Sequence, residues 1–126
     1  MKDDKRSIPM LPAREVELEP GRYHQPPRAI VFTWEAPFAA RVHELRFFPK
    51  LEVDLGWIVE SLSVGGEEQL MGPTPLVLLA AGVGEYMRRV RPGEALEIVV
   101  RAGSLTPRDN LAGIVASALA LDVVPL

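Results

Sequence analysis

Through the middle of the chain, apolar and polar residues alternate in short runs. In Ala29–Trp34, one side carries Ile30, Phe32 and Trp34. In Val42–Phe48, His43, Leu45 and Phe47 fall together, with Glu44 and Arg46 opposite. Leu51–Leu55 sets Leu51, Val53 and Leu55 against Glu52 and Asp54. Trp57–Val64 aligns Ile58, Leu62 and Val64 and runs into Gly65-Gly66, a hairpin turn signal. Ala95–Arg101 aligns Leu96, Ile98 and Val100. A period of two is that of a strand with one face buried. Short strands at roughly ten-residue spacing, separated by Gly and Pro, predict an all-β fold, an antiparallel β-sandwich of jelly-roll-like form. Leu45, Phe47, Val53, Ile58, Leu62, Leu96, Ile98 and Val100 are the expected core.

Two segments leave the period undecided. Leu76–Ala81 fits a short helix or a buried strand. Leu111–Leu121 fits a helix capped by Asp109 or Asn110, or a strand with large residues on one face and alanines on the other. The strand is preferred, since the two faces then suit a core and a closely packed neighbour. Residues 1–27 differ from the rest, holding five of the twelve prolines together with many charges. Proline lacks a backbone donor and disfavours helices and central strands. Only Arg14–Glu19 alternates in strand fashion, with Val16 and Leu18 against glutamates. The segment therefore reads as an extended arm, 1–27, ahead of a sandwich domain, 28–126. Val16, Leu18 and Tyr23 are its candidate intersubunit anchors.

Composition narrows the chemistry. At 126 residues, 48% hydrophobic and 25% charged, the chain can build one ordinary core. A net charge of −3 argues against nucleic acid as a partner. The cluster Arg88, Arg89 and Arg91 reads as a solvated strand face that could hold an anion. No apolar run approaches the roughly 20 residues that span a bilayer, and Met1–Arg6 lacks the apolar run of a signal peptide, so neither a membrane nor export is expected. Cysteine is absent, and His24 and His43 share no metal-ligand spacing, so no metal and no cofactor are expected. No serine sits in a nucleophile elbow. Gly82-Val83-Gly84 lacks the third glycine of a dinucleotide fingerprint. Glu67 and Glu68 are adjacent, so on a strand they point to opposite faces and read as a solvated hairpin. No catalytic residue is assigned, and the chain reads as a non-enzyme. A carboxylate pair drawn from distant strands would leave no local motif.

Two stretches carry a resemblance. One runs from Pro37-Phe38 and Val42-His43-Glu44-Leu45-Arg46-Phe47 through Ile58–Val64 to Gly65-Gly66-Glu67-Glu68-Gln69-Leu70. The other is Val90-Arg91-Pro92-Gly93-Glu94-Ala95-Leu96-Glu97-Ile98-Val99-Val100-Arg101, followed by Leu105–Asn110 and a small-residue strand. Together, over roughly residues 37–121, this strand-and-turn pattern resembles small capsid-associated proteins of tailed and tailless phages. The resemblance implies a jelly-roll-like coat or decoration subunit, located in the virion and assembled in the host cytoplasm. Its partners would be further copies of itself, as a trimer or larger, and other capsid proteins. The other readings are a carbohydrate-binding β-sandwich with Trp34, Trp57 or Tyr86 as a stacking platform, and a small enzyme.

Overall fold

A computed structural model of the chain describes residues 5–18, 28–48, 57–101 and 118–126. The strands are β1 (Arg6–Glu17), β2 (Arg28–Glu35), β3 (Ala40–Phe48), β4 (Ile58–Val64), β5 (Glu67–Glu68), β6 (Thr74–Pro75), β7 (Ala95–Arg101) and β8 (Ala118–Pro125). A helix, α1 (Leu76–Tyr86), lies between β6 and β7. Every strand pairing is antiparallel. The order is β3-β8-β1-β2-β7-β4-β5, with β6 also on β4, so the strands form one continuous sheet. Val42 and Leu45 of β3 share an apolar cluster with Leu62 and Val64 of β4, from the far end of that order. The sheet therefore curls into a half-barrel around its core.

β1 is the joint of this sheet. Its first half, Arg6–Met10, pairs with β8, and its second half, Leu11–Glu17, pairs with β2. The expected arm is thus corrected over residues 6–17, which form an integral strand of their own domain. Proline misled because each half of β1 has a single neighbour, and a strand with one unpaired side tolerates a missing donor. The changeover lies next to the register shift between Pro12 and Arg14. A bulge there lets a strand turn from one part of a sheet to the next.

Two more bulges redirect side chains. In β3 the register shifts between Val42 and Glu44, leaving His43 as the extra residue. Val42 and Leu45, three apart, are then both buried, and His43 is exposed rather than on the apolar face. In β4 the shift lies between Val59 and Ser61. Val59 and Leu62 face the core, whereas Ile58 turns to the other side and is half-buried. Of the remaining expected core, Leu45, Leu62, Leu96, Ile98 and Val100 are buried and Phe47 is half-buried. Val53, with the whole run Leu51–Leu55, lies outside the described residues.

The other segments resolve physically. Leu76–Ala81 is helical. The last residues of Leu111–Leu121 open β8, with Leu119 and Leu121 in the core, and residues 111–117 lie outside the described residues. Gly65 and Gly66, at φ 61° and 84°, make the two-residue turn between β4 and β5. Asp122 is buried on β8 and its carboxylate meets Arg46 Nε at 3.0 Å.

Candidate assembly surface

α1 fills the opening between the two ends of the curled sheet. Leucine and alanine favour a helix over Leu76–Ala81, and Pro75 stands at its N-cap position with φ −55° and ψ 133°. Capping comes from the fold rather than from a side chain: Leu76 N–H donates to Trp57 O at 3.0 Å. Leu76, Leu79 and Val83, at the spacing of one helical face, are buried in the core. Gly82 leaves helical geometry at φ −145° and ψ 22°, and kinks the helix. Beyond the kink, Gly84 passes so close to β3 that a Cβ on it would lie 2.8 Å from His43 O and 3.0 Å from Val42 O. The bulge of β3 is where the helix rests.

The outer side of α1 is apolar too. Val77 is 39% exposed and Leu78 65%, while Met71, on the loop leading into β6, is fully exposed. From Gln69 through Gly84 there is no charged residue, in a chain where 25% of residues are charged. A surface helix ordinarily carries polar residues outward, and one that is apolar all round is ordinarily buried. Three of the five exposed large hydrophobics among the described residues, Met71, Val77 and Leu78, fall in this one segment.

The helix is held from its far end by Arg88. This guanidinium donates from Nη1 to Glu94 Oε1 at 3.0 Å and to Arg89 O at 3.0 Å. From Nη2 it donates to Glu94 Oε2 and to Val64 O, each at 2.8 Å. Its Nε lies 3.4 Å from Glu67, near enough for attraction but not aligned as a hydrogen bond. Gln69 Oε1 accepts from Arg88 N–H at 3.2 Å. The bidentate contact with Arg88, then the Arg91 backbone N–H, holds the Glu94 carboxyl down at about 2. The same contact raises Arg88 above its ordinary value. Arg88 is thus a clasp between the β4–β5 hairpin and the segment entering β7, not part of a solvated strand face. Glu68 has a comparable structural use, since its carboxylate accepts from Leu62 N–H at 2.9 Å and Leu70 N–H at 3.2 Å.

Neither family models, curated proteins nor solved structures match this chain. Val16 and Leu18 are half-buried at the end of β1, with Val16 opposite Ala29 in the pairing with β2. Tyr23 and His24 lie outside the described residues. Among the candidate stacking platforms, Trp57 is 1% exposed and tilted against Phe47. Trp34 is half-buried with its ring edge-on to Phe38, centroids 6.0 Å apart. The Tyr86 side chain lies outside those described. Among the described residues no group of three or more His, Asp or Glu side chains converges as a metal site, and no helix is long and apolar enough to cross a membrane. The outer side of α1 was missed in the sequence because the period of Leu76–Ala81 did not reveal a helix. The signal available was the long uncharged run itself.

Proposed function

We propose that the protein is a structural subunit of a virion, a coat or decoration protein of jelly-roll-like form that works through protein–protein contacts. The observation that carries this reading is the uncharged run Gln69–Gly84, which presents Val77 and Leu78 outward from a helix whose inner face is already in the core and leaves Met71 exposed on the loop before it. Apolar area of that kind is stabilised by contact with another protein surface. The strand-and-turn resemblance to small capsid-associated phage proteins supplies the setting: homo-oligomers of three or more copies, bound to other capsid proteins. The carbohydrate reading has less support, since burial takes Trp57 out of use as a platform. Light scattering of the purified chain, followed by electron microscopy, tests the proposal. The expected result is a mass of at least three chains, or regular particles. A strict monomer at every concentration, with no binding to capsid shells, would remove the basis of the reading.

A further inference from the structure

We propose that the outward side of the Ala40–Val90 bridge is a binding site for a phosphate group, held by the guanidinium groups of Arg41, Arg89 and Arg91. The site is independent of the surface on α1. Ala40 and Val90 exchange backbone hydrogen bonds of 2.9 Å in an antiparallel bridge, and both side chains are buried in the core. Residues on either side of a buried strand position point to the opposite face. Arg89 and Arg91 flank Val90, and Arg41 follows Ala40, so that it stands opposite Arg89. Opposite Arg91 stands Ala39, not a carboxylate. Of the sequence cluster Arg88, Arg89 and Arg91, the fold withdraws Arg88 into its clasp and brings in Arg41 from a distant strand.

The charges of this face are not neutralised within the chain. Arg14, Arg28, Arg46 and Arg101 each meet a carboxylate. Among the described residues, no carboxylate forms an ion pair with Arg41, Arg89 or Arg91. Glu94 already gives both oxygens to Arg88, and one of them also accepts from Arg91 N–H. Like charges directly opposite each other destabilise a strand pair, so the setting of Arg41 against Arg89 has a cost that a bound dianion removes. The backbone holds them in place: Val90 is bonded twice to Ala40, and Arg89 O accepts from Arg88 Nη1 at 3.0 Å. Guanidinium forks match the oxygens of a phosphate in bidentate geometry. On β3 the patch gives way to exposed Glu44, and the chain carries a net charge of −3. A phosphate group on a small molecule is therefore favoured over a polynucleotide, whose further charges would meet acidic surface.

Thermal melting in inorganic phosphate, against chloride at equal ionic strength and pH, tests the site. A ligand that binds only the folded chain raises its melting temperature, and phosphate is expected to do so along a saturating curve. Arg41→Gln and Arg89→Gln should each lose that shift, while Arg14→Gln, at an exposed arginine of β1, keeps it. In chloride alone, Arg89→Gln should melt no lower than the parent, because it removes one of two opposed like charges. Phosphate also stabilises proteins in general by exclusion from their surface. That effect rises without saturation and acts equally on every variant, and such a result overturns the site. Phosphorus NMR gives a second readout, with line broadening of pyrophosphate expected on the parent and absent on Arg41→Gln and Arg89→Gln. Equal broadening on all three chains also overturns it. A single-stranded oligonucleotide that binds through the same arginines, far more tightly than pyrophosphate and with a steep salt dependence, would overturn the small-molecule ligand in favour of nucleic acid.

Discussion

Ile98 stands opposite Phe32 of β2 and Leu62 of β4, and all three are buried. A side chain of that size contributes roughly 1.5–3 kcal/mol by burial, and removing it also leaves a cavity. Ile98→Ala is expected to lower stability by about 2–5 kcal/mol in a denaturant titration. An unchanged midpoint would contradict the placement. Gly84 makes the opposite demand, for an atom that must be missing. Gly84→Ala drives a methyl group against the carbonyls of Val42 and His43, at an expected cost of about 1–3 kcal/mol for overpacking. Glu94 gives the pH dependence. Its carboxyl is held below the ordinary 4.5, at about 2, by Arg88. That stabilisation is present above the ordinary value and is lost as pH falls from there through about 2. Glu94→Gln should therefore melt lower at neutral pH and show a flatter acid limb between pH 4.5 and 2. Parallel acid limbs in parent and variant would show that the clasp does not contribute.

Among the described elements, β7 shows a strand that unbroken alternation made legible. Ala95–Arg101 forms β7 as read, with Leu96, Ile98 and Val100 inward. Where a bulge adds a residue, the apolar spacing changes from two to three, and the pattern assigns the wrong side chains inward. His43 and Ile58 failed for that reason, since neither Val42–Leu45 nor Val59–Leu62 fits a strict period. β1 was hidden by composition: its prolines are permitted by neighbours that only the folded chain supplies. α1 was hidden by its lack of contrast, because a helix apolar on both sides gives no amphipathic signal. The strand β1 offers the sharpest test at this scale. It lies between β8 and β2 and buries Met10. Deleting residues 1–17 divides β3-β8 from the rest of the sheet. Loss of the cooperative thermal transition and of the near-ultraviolet dichroism is expected. A truncated chain that melts like the parent would restore the detachable arm.

At the scale of the whole molecule, the two ends of the sheet order are brought around one core and α1 is set into the gap, which protects an edge that would otherwise be open. Val90 exchanges two backbone hydrogen bonds of 2.9 Å with Ala40 at the start of β3, and Gly84 covers Val42 and His43. Such covering hinders strand-to-strand aggregation, so that α1 both shields one surface and offers another. The pairing of β1 with β8 has a further consequence, for how the protein is made. Residue 6 lies opposite residue 123, and β3 also waits for β8. On a ribosome adding roughly 5–20 residues per second, β1 and β3 remain without their common partner for seconds after they emerge. Non-local pairing of this kind folds in milliseconds to seconds once the chain is whole, and stopped-flow refolding is expected to fall in that range, with a yield that drops as concentration rises. The Gln69–Gly84 run leaves the ribosome before β8 does. A neighbouring nascent chain can therefore meet the sticky segment before the sheet beneath it has closed, and the spacing of ribosomes on the message becomes a variable in how much correctly folded protein is obtained.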